Sequence, residues 1–376
     1  MRVLAVTPSY PRFQGDYHGR FIHDHCKALH ESGAQVTVLA PRSRSTRPFP
    51  TPFEVDRFPS MPSKRLELLP ERTMKGAPVP HLAQIPPYMA SAYIRLADQT
   101  TDIVQAHWAI PLGFIAALTP RKAPLVVTCH GSDCTLAYSN PWLRPFVRKT
   151  FSRATRVVAV SDYIRRIAVI LGARDVEVIY LGVDLERFHP PADKRELRER
   201  MGLPVDRPIV GTLGRLVRDK RIGDFIEVAR LIADEIDAIF LIGGTGPEEA
   251  RLKALAKGRD EIVFLGETHD PAGFHGLCDV SVLASVREGL SISLQEAMAT
   301  GCVPVASDGV GCRELVKDGE NGFLFQPGDV YSLAQKTLLA LEDPSLGMQA
   351  RETIQEGFDI KENVLRYIRL YEGLLR

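Results

Sequence analysis

Short apolar runs alternate with amphipathic stretches along almost the whole chain. Val3–Val6, Val36–Leu39, Ile103–Ala106, Leu125–Cys129, Val157–Val160 and Val176–Ile179 are runs of the kind a parallel strand buries on both faces. Between them, Phe21-Ile22, His25 and Ala28-Leu29 mark a helix that ends near Gly33, and Tyr88–Ala97, Leu112–Leu118 and Asp162–Leu171 predict further helices. Each strand–helix–strand step is a βαβ unit. The pattern restarts at Pro208 with a strand that enters a glycine turn. It continues through helix Ile222–Ala233, strand Ala238–Ile242, helix Pro247–Ala256, strand Ile262–Leu265 and a helix near Phe274. Strand Val280–Leu283, helix Ser291–Thr300, strand Gly322–Phe325 and helix Val330–Leu341 complete that series. A closing amphipathic helix after Gly357 puts Val364, Leu365, Ile368, Tyr371 and Leu375 on one face.

Two successive α/β series predict two doubly wound, Rossmann-like domains facing across a cleft. Their expected extents are 1–185 and 186–357, with 358–376 a terminal helix packing back on the first domain. Leu181–Pro208 reads as a proline-bearing linker with one short helix, and 41–87 as a proline-dense insertion with a short strand at Phe53–Phe58.

The chemistry concentrates at strand ends. Val280 to Ala306 reads as strand, glycine turn, helix, glycine stop and strand. Ser291 or Ser293 is positioned to cap the helix. Leu294, Ala297 and Met298 share an apolar face, and Ser293, Glu296 and Thr300 form a polar stripe. Glu288 lies in the turn and Glu296 in the helix, whose side chains lean back toward its start. The helix start between them is a ready anion seat, flanked by carboxylates able to hold sugar hydroxyls. A solvated turn residue and an ordinary exposed helix residue remain the competing reading of this window alone. His130-Gly131-Ser132-Asp133 follows another strand directly, where doubly wound sheets bind ligands. Gly15 and Gly19 suit close backbone approach in the first loop. That loop lacks Gly-x-Gly-x-x-Gly, and Gly243-Gly-Thr-Gly lacks the Lys-Ser/Thr of a P-loop.

Composition narrows the picture modestly. The 376 residues carry 45% hydrophobic and 25% charged side chains, as an ordinary globular protein does, and a net charge of +1 gives no global field for nucleic acid. Six cysteines without a Cys-x-x-Cys pair read as buried thiols of a reducing compartment. No signal peptide or membrane-spanning run is apparent, so the expected location is cytoplasmic. One segment departs from the even charge balance. In 140–156, Arg144, Arg148, Lys149, Arg153 and Arg156 have no acidic neighbour and interleave with Trp142, Phe146 and Phe151. That pattern fits peripheral contact with an anionic membrane, at its inner face, or equally a solvated basic face.

Taken in order, several motifs resemble the retaining GT-B fold glycosyltransferases of the large family 4 (group 1). They are Thr128-Cys-His-Gly-Ser-Asp133, Val160-Ser-Asp162, Leu181-Gly-Val-Asp184, Gly214-Arg-Leu with Lys220, Phe264-Leu-Gly266, and Glu288-Gly-Leu with Glu296-Ala-Met-Ala. The resemblance implies an acceptor-side first domain and a nucleotide-sugar-binding second one. It implies that Arg215 and Lys220, beside Gly214, clamp the donor diphosphate. The backbone of Gly289, Leu290 and Ser291 would seat the same phosphates. Glu296 would hold the ribose, Glu288 the transferred sugar, and His130 that sugar from the other domain. Gly19 would let the first loop approach the donor. Where many members have a glycine doublet this chain has His18-Gly19, which leaves room for His18 near the site.

The expected reaction moves a hexose-type sugar from a UDP- or GDP-sugar to an acceptor hydroxyl of a lipid-linked sugar, a polysaccharide or a small molecule. No Asp-x-Asp motif stands in a suitable turn, so neither metal nor cofactor is expected. A nucleotide-sugar epimerase on the same fold and a non-catalytic sugar-nucleotide module are the alternatives.

Overall fold

The computed structural model describes residues 1–43, 45–47, 50–59, 85–233, 235–286 and 289–376. Most of the proline-dense insertion, together with Glu288, lies outside the described residues. The chain divides into two compact units: Met1–Leu181 with Ile360–Arg376, and Gly182–Asp359.

The first unit is built on seven strands in the order β3-β2-β1-β4-β5-β6-β7. These are β1 Arg2–Val6, β2 Gln35–Arg42, β3 Glu54–Pro59, β4 Ile103–His107, β5 Leu125–Cys129, β6 Arg156–Ala159 and β7 Val176–Val178. All pairs are parallel. Every residue of β4 and β5 is buried, which is why those strands read as unbroken apolar runs. Strand order reverses at β1, so the crevice outside the carboxyl ends of β1 and β4 is this unit's switch point.

The second unit repeats the plan with six parallel strands in the order β10-β9-β8-β11-β12-β13. They are β8 Ile209–Leu213, β9 Ile239–Gly243, β10 Ile262–Gly266, β11 Val280–Leu283, β12 Val303–Ser307 and β13 Phe323–Phe325. Its switch point falls between β8 and β11.

Three details differ from the sequence reading. The last helix, Ile360–Leu375, buries Val364, Tyr367 and Tyr371 against Val3, Ile22 and Val36, while Leu365 and Leu375 are exposed. Two tyrosine bodies outweigh the leucines and rotate the buried face. A helix over Leu346–Gly357 was not expected; Leu346, Ala350 and Ile354 line its buried side. Thr300, assigned to a polar stripe, is buried, because its hydroxyl donates to Ala297 O at 2.8 Å where the helix ends. Among the described residues no helix is long and apolar enough to cross a membrane.

Candidate functional site

In the second unit, hydrogen bonds join the loops after β8, β9 and β11 at the carboxyl ends of the strands. After β8, Gly214 N donates to Gly243 O (3.1 Å) and Leu216 N to Thr245 O (2.9 Å), which locks the Arg215 loop onto the glycine turn after β9. Gly244 N in turn donates to Gly266 O at the end of β10 (2.6 Å). Gly244 has φ +116, and a Cβ there would stand 2.0 Å from Gly214 O. Only glycine permits that approach. The glycine turn that matches no nucleotide motif therefore has a defined role: it supports the loop that carries Arg215.

Lys220 closes a short helical turn, Arg218–Lys220, and its Cε lies 3.9 Å from where a Gly214 Cβ would be. The same turn is fastened to the exit of β11, since Asp219 O accepts from Val286 N at 3.0 Å and from Ser285 Oγ at 3.3 Å. Ser291 caps the helix Ile292–Ala299 by accepting from Leu294 N (3.3 Å). Ser293 Oγ donates to Leu213 O at 3.1 Å and so holds that helix start against the end of β8. Gly214, Arg215, Lys220, Gly289, Leu290 and Ser291 thus belong to loops at the carboxyl end of one sheet. First-turn N–H groups, lacking intrahelical acceptors, and two cations suit a polyanionic ligand there.

Glu296 stands further along the helix with its side chain 18% exposed, and its Oε2 is 4.0 Å from His275 Nε2. That is too long for a hydrogen bond. His275 is fully buried on the helix Pro271–Leu277, and neither ring nitrogen has a hydrogen-bond partner among the described residues. Burial pushes its pKa down to about 3, so a neutral imidazole backs the carboxylate.

In the first unit, His130 follows β5 and is boxed by rings. Trp108 lies 4.4 Å away, His107 5.2 Å and Phe21 5.4 Å, centroid to centroid. His107, the last residue of β4, shares a hydrogen bond with it, Nδ1 to Nε2, at 3.0 Å. Burial, with His25 nearby, lowers the His130 pKa to about 3, and His107 is likewise held well below the usual imidazole range by burial and by its histidine neighbours. Both rings are neutral at physiological pH. Trp108 adopts φ +68, a costly conformation for a bulky side chain. It is retained by Trp108 Nε1 donating to Ser132 Oγ (3.2 Å) and by the buried Asp133, which accepts from Ala109 N (2.7 Å) and Gly131 N (3.1 Å).

The first loop carries a second cluster at the same switch point. Asp16 is buried and accepts from Arg12 Nε (2.6 Å), while its Oδ1 lies 3.0 Å from His18 Nδ1. Burial opposes the charge, yet the bonds from His18 and Arg12 win and hold the carboxyl below its ordinary range. Gly19 has φ +67, and a Cβ there would meet Ser9 O at 2.4 Å. Its glycine is thus required by the protein's own backbone, whatever ligand approaches.

Among the described residues one group has metal-ligand chemistry: Cys129, Asp133 and Cys134, all buried. Both Asp133 oxygens already accept backbone N–H bonds, and the Cys134 thiol is held up by its bond to Cys129 and by burial. The trio packs the loop and does not suit an ion. All six cysteines are free and buried. Sequence reasoning missed His107 and His275, and it quoted Gly244 and Asp133 within motifs without giving either a role. The strand-end rule that singled out His130 points equally to His107, but nothing local marks His275.

Known proteins resemble this chain over its full length. A family model described as glycosyl transferases group 1 matches residues 193–357, and one described as glycosyltransferase family 4 matches 18–187. The putative teichuronic acid biosynthesis glycosyltransferase TuaC of Bacillus subtilis is 29% identical, covering 100% of this chain and 99% of that protein. The putative glycosyltransferase EpsD of the same organism is 32% identical over 67% of this chain and 71% of its own length. HepE of Anabaena, solved in complex with UDP, has the same fold at a TM-score of 0.78 and 20% identity, covering 99% of this chain and 100% of that one.

Proposed function

The chain belongs to the group 1 glycosyltransferases of family 4, with the GT-B fold, and from that membership we propose that it moves a hexose-type sugar from a nucleoside-diphosphate sugar to an acceptor hydroxyl, with retention of anomeric configuration and without a divalent metal. The observation that carries the donor assignment is the bonded set of loops at the second unit's switch point, where the segments bearing Arg215 and Lys220 and a helix start share the carboxyl end of one sheet.

Breaking the bond between the sugar and the diphosphate builds negative charge on the departing phosphate. Fixed cations and helix-start N–H groups stabilise that charge more than they stabilise the bound donor, by about 3–4 kcal/mol for each well-placed group. Arg215 and Lys220 take that role. Gly289, Leu290 and Ser291 seat the phosphates, Glu296 accepts from the ribose hydroxyls, and Glu288 and His130 contact the transferred sugar. The UDP held by HepE supports a uridine donor, and the name of TuaC supports an acceptor in polysaccharide or glycoconjugate synthesis. The proposal extends to work in the cytoplasm at the inner face of a membrane, contacted through 140–156.

Thermal-shift screening against UDP-, GDP-, ADP- and dTDP-sugars tests the donor site, followed by turnover with and without added acceptors. Stabilisation by one nucleotide class and acceptor-dependent release of its diphosphate are expected. Donor epimerisation that needs no acceptor would replace transfer with the epimerase reading. No stabilisation by any nucleotide would overturn the site.

A further inference from the structure

Lysine plus arginine and aspartate plus glutamate nearly cancel over the chain, 47 against 46, yet the charges are not evenly placed. No acidic residue lies between Asp133 and Asp162, a span that holds Arg144, Arg148, Lys149, Arg153 and Arg156. The two flanking aspartates do not compensate. Asp133 is buried on backbone N–H groups, and Asp162 is paired with Arg165 and Arg166.

The fold turns this span into a face. Helix Arg144–Arg153 buries Val147, Thr150 and Phe151, leaving Phe146, Arg148, Lys149 and Arg153 outward. Trp142, in the turn before it, is 84% exposed, although Asn140 fixes that turn by accepting from Trp142 N at 3.1 Å. Phe146 is 46% exposed as well, and clustered apolar exposure marks an interaction surface where scattered residues do not. The face is wider than the helix alone. The end of helix Asp162–Ile170 lies alongside, since a Cβ on Gly172 would come within 3.7 Å of Arg148 Cγ, and Ile170 there is 61% exposed.

We propose that this composite face, Trp142 and Phe146 with Ile170 as its apolar part and Arg148, Lys149 and Arg153 as its cationic part, docks on an anionic lipid bilayer. The proposal deepens the membrane contact suggested above and assigns it to named side chains on two helices. Charge complementarity selects the partner: cations beside lipid phosphates, with a tryptophan whose amphipathic ring belongs at headgroup depth. An acidic protein or soluble polyanion would use the same cations but gives no reason for exposing a tryptophan together with Phe146 and Ile170.

The test is flotation with phosphatidylcholine vesicles, with and without about one-third phosphatidylglycerol, read together with tryptophan emission. Trp108 and Trp142 are the two tryptophans, and Trp108 is buried, so a shift in tryptophan emission reports Trp142. Expected are binding to the anionic vesicles alone, weakened by salt, and a blue shift on binding. Trp142→Ala and Ile170→Asp should each weaken partitioning severalfold, and Arg148→Glu with Lys149→Glu at least tenfold, at about fivefold per charge removed. Melting curves establish that each variant is folded. Equal partitioning of the charge-reversed variant, or none by the wild type, overturns the proposal. Capture by heparin with no vesicle binding or emission shift also overturns it, in favour of a polyanion site. No donor or acceptor enters the measurement, so failure here is separable from failure of the transferase reading.

Discussion

His107 Nδ1 and His130 Nε2 lie 3.0 Å apart, so the imidazole proposed to touch the sugar is oriented by a second imidazole from the adjacent strand. Whichever ring donates, the shared bond fixes the tautomer of His130, whose Nδ1 is buried and unbonded among the described residues. His107 is thus a positioning residue. His107→Ala should lower transfer by about tenfold or more, because His130 loses the partner that orients its ring, while burial and His25 still keep that ring neutral. His107→Asn, whose amide replaces the Nδ1 position, should restore part of the rate. kcat/KM for the three proteins checks this, and an undiminished His107→Ala rate, or no recovery in His107→Asn, would count against it.

Acid stability follows from the same burial. His25 is lowered to about 4, by burial against a smaller opposing bond from Gln105, and His275 to about 3 by burial. Their unfolded-state pKa is about 6.5. Below that value the unfolded chain takes up protons that the folded chain refuses, so stability falls as pH drops from about 6.5 toward 4. Each such histidine contributes about 1.4 kcal/mol per pH unit in that window. Denaturant unfolding at stepped pH should show the loss, and His25→Gln should flatten the slope by one histidine's share. A slope unchanged by that substitution would contradict the assignment.

Burial also explains what could be read in advance. Strands buried on both faces have to be continuous apolar runs, so β5 was read at its observed limits and most others within a residue or two. The strand ends of a doubly wound sheet then pointed to His130 and to the Arg215 loop. Contacts made by backbone atoms left no such trace. Gly244 against Gly214 O is invisible in a four-residue string that fits no motif. His275 comes near Glu296 only because two helices pack together, and its spacing from Glu296 carries no periodic signal. The rotated terminal helix shows a third limit, since periodicity marks two overlapping apolar stripes and the tyrosines decide between them.

Gly244→Ala offers a direct probe of the loop assembly. The new methyl would face Gly214 O at 2.0 Å, at a φ that disfavours any side chain. The strain costs roughly 1–3 kcal/mol, and relief requires the Arg215 loop to withdraw. Donor affinity should fall at least tenfold, with a melting temperature only a few degrees lower; isothermal titration with the donor found by thermal shift checks it. Undiminished affinity would mean that the loop after β9 does not support the site.

Arg215→Ala and Lys220→Ala test the proposed clamp itself. Both side chains sit on loops held by backbone and serine bonds that neither substitution touches, so the fold should survive. Each should lower turnover by at least tenfold, in line with losing about 1.4 kcal/mol or more of transition-state stabilisation. Near-normal turnover in both would remove the clamp.

His275 should separate stability from function. Its two ring nitrogens are buried without partners, and an unsatisfied buried polar group costs roughly 1–3 kcal/mol. Replacing it with an apolar ring of similar size, His275→Phe, removes that cost and should raise the melting temperature by a few degrees. The same change takes away the one imidazole behind Glu296, whose Nε2 needs a shift of about 1 Å from its 4.0 Å separation to donate to the carboxylate once a ribose draws on it. A gain in stability coupled to a severalfold loss of nucleotide affinity is therefore expected, whereas Glu296→Gln should lose affinity with no such gain. Calorimetry on the two variants, with and without the free nucleoside diphosphate, distinguishes the outcomes. A more stable His275→Phe protein that binds nucleotide as tightly as the wild type would make His275 a relic of packing with no part in the site.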